Sequence, residues 1–228
     1  MVDGILILDK PAGLSSARAV AGVKRHLPRG TKVGHAGTLD PFATGVLLIL
    51  IGKATRSCEA LMNCPKSYRA TVRLGATTAT DDLDSPPIVM NDPRPPSREQ
   101  LAEAAASFVG TIMQRPPAFS ALKIGGRRAY DLARRGQAVE MAARPVRVDA
   151  IAIESYEWPE AVIDVDCGRG FYVRALARDL GEKVGVGGYL TALRRTAIGP
   201  YRVGGAILFE QLTSESIAAR LLPVAVAG

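Results

Sequence analysis

The stretch Gly34-His35-Ala36-Gly37-Thr38-Leu39-Asp40-Pro41-Phe42-Ala43-Thr44-Gly45 places one carboxylate and one imidazole among glycines and a proline, directly before the apolar run 46–51. Glycine and proline hold such a loop in restricted backbone angles beside a core, where functional side chains are often displayed. Asp40 precedes Pro41, which biases its own backbone to an extended form. A carboxylate held there can take a proton or attack an electrophilic carbon; it can equally be the structural acid of an Asp-Pro turn. A second candidate is Cys167-Gly168-Arg169-Gly170-Phe171-Tyr172-Val173-Arg174, at a strand-to-helix corner. Arg174 falls off the apolar stripe in the first helical turn, where the macrodipole disfavours a cation. A neighbouring carboxylate or phosphate would account for it, and so would a solvated surface position.

Other patterns carry less. Asp81, Asp82 and Asp84 fit no calcium-loop spacing and sit in a Pro-rich stretch that reads as a solvated loop. Gly168-Arg169-Gly170 is an incomplete dinucleotide fingerprint. Cys58, Cys64 and Cys167 lack CxxC spacing, and with only His26 and His35 beside them they read as free thiols rather than zinc ligands. No metal site and no organic cofactor is expected.

The elements that must hold these residues are legible from periodicity. A short strand at 4–8 leads into the turn Asp9-Lys10-Pro11-Ala12-Gly13. Ser15 or Ser16 then caps a helix with Val20, Val23 and Leu27 at helical spacing. After a polar loop, 46–51 reads as a strand buried on both faces. In the strand 68–74, Tyr68, Ala70, Val72 and Leu74 share one side. Ser97-Arg98-Glu99-Gln100 is a capping-box pattern ahead of Leu101, Ala104, Ala105 and Phe108. Strands follow at 146–153 and 161–167, then a helix striped by Val173, Leu176, Ala177, Leu180 and Val184. A last strand over about 193–203 and a short helix complete the chain. Strands arriving as neighbouring pairs favour an α+β fold with a mixed, mostly antiparallel sheet.

The 228 residues carry 29 Lys and Arg against 22 Asp and Glu, a net +7 that favours a polyanionic partner. Much of the excess lies at 113–147, where Arg115, Lys123, Arg127, Arg128, Arg134, Arg135, Arg144 and Arg147 face only Asp131 and Glu140. No apolar run approaches the roughly 20 residues of a membrane helix, and Asp3 and Asp9-Lys10 do not suit a signal peptide. A soluble intracellular protein is expected.

The loop from His35 to Gly45 resembles the catalytic motif of the TruB family of tRNA pseudouridine synthases. Leu6-Ile7-Leu8-Asp9-Lys10-Pro11-Ala12-Gly13-Leu14-Ser15-Ser16 resembles that family's N-terminal Lys-Pro motif, and Lys66-Ser67-Tyr68-Arg69-Ala70 its tyrosine-bearing strand. Gln114-Arg115-Pro116-Pro117-Ala118-Phe119-Ser120-Ala121-Leu122-Lys123 resembles its RNA-gripping insertion. Gly170-Phe171-Tyr172-Val173-Arg174, Asp179-Leu180-Gly181 and Leu193-Arg194-Arg195-Thr196 resemble its C-terminal motifs. Together they run from about residue 4 to 201 in the family's order.

The resemblance implies a pseudouridine synthase fold in one catalytic domain over 1–228, with a basic insertion at about 113–147. It implies Asp40 as catalytic aspartate paired with Arg174. Tyr68 would stack on the flipped uracil, Leu193 pack against it, Tyr172 hydrogen-bond in the pocket, and His35 touch RNA near the extruded nucleotide. Lys10, with Pro11, would support the catalytic loop and meet RNA. Lys123, Arg127, Arg128, Arg134 and Arg135 would grip the T-arm of tRNA, the expected partner. A cytoplasmic monomer with no protein partner is expected, without the PUA-type RNA-binding appendage that many relatives carry after the catalytic domain. The rival reading is a non-catalytic tRNA-folding protein that uses the same cleft for binding alone.

Overall fold

The computed structural model describes residues 2–120, 123–124, 127–128 and 141–223, with the backbone alone for 123–124 and 127–128. The first elements are β1 (Gly4–Lys10), α1 (Ser16–Lys24), β2 (Val33–Ala36), β3 (Thr44–Ile51), a 3-10 turn (Gly52–Ser57), α2 (Cys58–Asn63) and β4 (Lys66–Leu74). Next come β5 (Ala76–Thr77), β6 (Ile88–Val89), α3 (Arg98–Ala106), β7 (Gly110–Gln114), β8 (Lys123–Ile124), β9 (Arg127–Arg128), β10 (Arg144–Glu157) and β11 (Glu160–Cys167). The chain closes with α4 (Val173–Lys183), β12 (Gly188–Ile198), β13 (Tyr201–Arg202), β14 (Ile207–Leu208) and α5 (Ser214–Arg220). The chain falls into two compact units, 1–68 with 193–228, and 69–192.

In the first unit β3 is the central strand. β1 runs antiparallel along one edge, from Gly4 opposite Ile51 to Lys10 opposite Gly45. The other edge is divided between β2, antiparallel to its end, and β12, parallel to its start through Arg194 opposite Thr44. β14 lies parallel on the outer side of β1. Alternation sends Ile5, Ile7, Val46, Leu48 and Leu50 to one face and Leu6, Leu8, Leu47, Ile49 and Ile51 to the other. Both faces are covered: α1 and α5 supply Ala19, Val23 and Ile217 to one, and α2 supplies Leu61 to the other. The run 46–51 is therefore apolar throughout, as a strand buried on both sides requires.

In the second unit β11, β10 and β7 form an antiparallel meander with β4 beside β11. α3 packs on β10 and on α4. Its capping box forms as the sequence suggests: the Ser97 hydroxyl accepts from the Gln100 N–H at 3.2 Å, and the Ser97 N–H donates to the Gln100 side chain at 2.8 Å.

Several boundaries differ from the sequence reading. Residues 33–36, expected within a polar loop, form β2, because the edge of β3 gives even a Gly- and His-containing segment its ladder partners. The last long strand begins at Gly188 and ends at Ile198, not at 193 and 203. Met113, Gln114 and 144–147 belong to β7 and β10, where Arg144 stands opposite Gln114, so the excursion proper starts after that rung. Arg134 and Arg135 lie outside the described residues. Cys58, Cys64 and Cys167 are free thiols. Among the described residues no helix is long and apolar enough to cross a membrane.

Candidate active site

Asp40 sits half-buried in the loop between β2 and β3. The loop is fixed through its backbone by side chains from elsewhere in the first unit. Asp40 opens a turn over Pro41 in which the Ala43 N–H donates to its carbonyl at 3.1 Å. One residue earlier, the buried Ser16 hydroxyl donates to the Leu39 carbonyl at 3.0 Å and accepts from the Leu39 N–H at 2.9 Å. One residue later, the Lys10 ammonium donates to the Pro41 carbonyl at 3.2 Å, and to those of Leu14 and Pro11 at 2.7 and 2.8 Å. Arg195, 1% exposed, reaches Gly37 and Val46 carbonyls at 2.8 Å each. Gly45 has φ +101, and a Cβ there would lie 2.2 Å from the Arg195 carbonyl oxygen, so only glycine lets β3 and β12 meet. The backbone is thus immobilised on both sides of Asp40.

Lys10 corrects the sequence reading in part. It supports the loop as expected, but at 0% exposure its ammonium is engaged with three carbonyls and presents no surface to RNA. Burial holds its pKa down at about 8, with Arg195 acting in the same direction and Asp40 opposing. His35, on β2, is half-buried, and its Nδ1 has no hydrogen-bond partner among the described residues; burial, then Arg195, hold its imidazole below the usual value. Both effects favour the neutral form of the ring. Tyr68 is half-buried on β4, and Leu193 is 8% exposed on β12. The neighbouring Arg194 pairs with Asp9 at 2.6 Å.

In the second unit, Arg174 is 4% exposed, which excludes the solvated-surface alternative. Its guanidinium meets the Asp82 carboxylate at 3.2 Å and the Thr80 and Phe119 carbonyls at 3.0 Å each. One turn on, Arg178 pairs with Asp81 and Asp179 at 2.8 Å each and donates to the Arg115 carbonyl. The reading of Asp81 and Asp82 as solvated is overturned: both are buried, and only Asp84 is exposed. Their partners lie over ninety residues away, beyond the reach of any local pattern. Asp81 holds φ +59, unusual for a non-glycine residue, and burial raises its carboxyl against the pull of Arg178 and Arg174.

Tyr172 is the N-cap residue of α4, and its own side chain makes no capping bond. Gln114, 1% exposed, instead clasps the backbone of this N-cap residue from β7: its amide donates to the Tyr172 carbonyl at 3.0 Å and accepts from the Tyr172 N–H at 2.9 Å. Arg144, opposite Gln114, donates to the Gly170 carbonyl at 2.9 Å and lies 5.5 Å from the Tyr172 ring centroid. Lys123, Arg127 and Arg128 fall on the paired strands β8 and β9, described by backbone alone. Ser16, Gln114, Asp82 and Arg195 escaped the sequence reading as site residues. The only signal for Gln114 and Arg195 was their place inside quoted motifs.

Residues 24–173 match the model of the TruB family pseudouridylate synthase N-terminal domain, and 174–224 that of the tRNA pseudouridylate synthase B C-terminal domain. The chain is 46% identical over 222 residues to the tRNA pseudouridine synthase B of Arthrobacter sp. (strain FB24), covering 94% of this chain and 72% of that protein. It is 45% identical over 227 residues to the protein of the same name from Xanthomonas campestris pv. campestris, covering 97% and 73%. Among solved structures, a Cbf5-Nop10-Gar1 complex matches with a TM-score of 0.74 and 28% identity over 96% of this chain. An H/ACA RNP bound to a substrate RNA containing 2′-deoxyuridine matches with a TM-score of 0.67 and 28% identity over 92%. The match spans 60% and 52% of those two longer chains. With a family model covering most of its length and such relatives along nearly all of it, the chain belongs to the TruB family of pseudouridylate synthases.

Proposed function

We propose that this protein converts the T-loop uridine of tRNA, at the position conventionally numbered 55, to pseudouridine, with Asp40 as the reacting carboxylate. An isomerase acting on tRNA is what the family and the named relatives support. The isomerisation breaks the bond between uracil N1 and ribose C1′, turns the base, and joins C5 to C1′ with no net redox change. Three routes start from the same ionised carboxylate: attack on C1′, attack on uracil C6, or removal of the 2′ proton. Each needs an acid whose backbone does not yield as charge moves. The observation that carries the reading is the fixing of the loop at Gly37, Leu39 and Pro41 by Arg195, Ser16 and Lys10.

The remaining roles belong to the same proposal. Tyr68 stacks on the uracil once it leaves the loop, offsetting part of an unstacking cost of a few kcal/mol, and Leu193 packs against it. Arg174 keeps Asp40 ionised; its burial and its pairing with Asp82 support a positioned rather than a roaming cation. Tyr172 lines the pocket and His35 meets RNA near the flipped nucleotide. Lys123, Arg127, Arg128, Arg134 and Arg135 grip the T-arm.

The test is incubation of the purified protein with unmodified tRNA transcript and site-resolved mapping of pseudouridine, beside an Asp40→Asn variant. Pseudouridine at the T-loop site from the parent chain, and none from the variant despite retained tRNA binding, is expected. Modification surviving Asp40→Asn would remove Asp40 from the chemistry. Saturable binding without modification by the parent chain would favour the RNA-folding role.

A further inference from the structure

We infer that the outer face of α1 and the loop that follows it form a second RNA-contact surface, which holds the phosphates of the duplex stem leading away from the target loop. The inference rests on the proposed function, since it takes RNA as substrate. Between Asp9 and Asp40 the sequence contains no acid. In that stretch Arg18, Lys24, Arg25, Arg29 and Lys32 are all exposed, and among the described residues none of them forms an ion pair. Glu215, in the first turn of α5, acts electrostatically on His26 and not on these five cations.

Helix stability does not account for this arrangement. Lys24 and Arg25 at the C-terminal end suit the macrodipole, but Arg18 stands in the first turn, which has no acidic residue, and there a cation is unfavourable. On α1 the other exposed positions are Ala17 and Ala21, and in the loop that follows they are Pro28 and Gly30, all small enough for a sugar-phosphate strand to approach closely. Five unpaired cations with small residues between them complement a phosphate backbone and offer little to an apolar partner.

The surface is rigidly tied to the catalytic loop. Ser16, at the start of α1, makes both backbone bonds of Leu39, and the Gly13 N–H donates to the Pro41 carbonyl at 2.8 Å. From that anchor the nine residues of α1 run for about 13 Å. The chain turns at Pro28, whose carbonyl accepts from the Thr31 N–H at 3.2 Å, and returns to the loop along β2. RNA held at the far end is therefore held in fixed register with Asp40, so that remote binding can orient the reacting nucleotide.

The experiment crosses two changes. The parent chain and an Arg18→Gln, Arg25→Gln, Arg29→Gln variant are each titrated with a stem-loop carrying the full stem and with one whose stem is trimmed, across a salt series. For the parent chain, trimming weakens binding; for the variant, affinity for the full stem falls by about tenfold or more and trimming has little further effect. The slope of log affinity against log salt on the full stem drops by about two to three units, near 0.9 for each lost phosphate contact. Equal losses on both RNAs, additive with trimming, or an unchanged salt slope, would overturn the inference. If the parent chain neither binds nor modifies either RNA, it is the functional reading that fails, whatever the variant does.

Discussion

Lys10 shows how a motif residue can be read correctly for place and wrongly for contact. The family resemblance marked it as a support of the catalytic loop that also meets RNA, but the turn folds over it, leaving three carbonyls and no solvent around the ammonium. Burial dominates and lowers its pKa from 10.5 to about 8. Between those values the unfolded chain holds the proton and the folded chain has lost it, so stability rises with pH across that window; below about 8 the cost of burying the charge is fully present. By 1.4 kcal/mol per pKa unit that cost is of order 3 kcal/mol. The function runs the other way, because a neutral amine has two N–H groups for three carbonyls and the Pro41 end of the clamp slackens. kcat is expected to fall as pH rises through about 8 in the parent chain. Lys10→Met is expected to be slow at every pH without that alkaline limb. A parent profile flat from pH 7 to 9.5 would show that the loop does not depend on the ammonium. Asp82 was misread for a related reason, since a carboxylate in a Pro-rich run looks solvated until the fold brings an arginine to it.

At the scale of elements, what was legible in the sequence was what is local. The Ser97 box, the apolar run of β3 and the stripe of α4 each depend on spacing alone, and each formed. β2 did not stand out because its strand character comes from β3, and Gln114 did not because its effect falls on an element that starts fifty-nine residues later. Gln114 fixes the residue at which α4 begins, engaging both backbone groups of Tyr172. Tyr172 and Arg174 lie at the cap and in the first turn of that helix, so loss of the clasp disturbs two proposed pocket residues together. Gln114→Met is expected to cost about 1–3 kcal/mol, the range for leaving buried polar groups unpaired, and to lower kcat more than it raises KM for tRNA. Gln114→Glu separates positioning from bulk stability: its carboxylate still accepts from the Tyr172 N–H but donates to the carbonyl only when protonated. Its kcat relative to the parent should therefore improve as pH falls, while Gln114→Met shows no such recovery. Identical pH behaviour in the two variants would reduce Gln114 to a packing residue.

The whole molecule divides unequally between continuous and discontinuous chain. The unit over 69–192 is one uninterrupted stretch, whereas the unit holding Asp40 is assembled from both ends of the sequence. β1 receives β14 along its outer edge, Leu222 bridges to Ile5, and Ile207, Leu212 and Ile217 close the core beneath β1 and β3. Strand β3, which follows the catalytic loop directly, is thus buried on one face partly by side chains from the last quarter of the chain. Ile217 is fully buried there, and Ile217→Ala is expected to remove about 2–5 kcal/mol through lost contacts and the cavity left behind. The loss should be local. In hydrogen exchange of the intact variant, amides of β1 and β3 should lose protection first, while those of β10 and β11, in the continuous unit, keep more of theirs. Activity should fall at temperatures below the global transition, because the loop around Asp40 borrows its rigidity from β1, α1 and β12. Uniform loss of protection in both units would mean that they unfold as one cooperative body. In that case the C-terminal segment would stabilise the molecule as a whole and not the catalytic loop in particular.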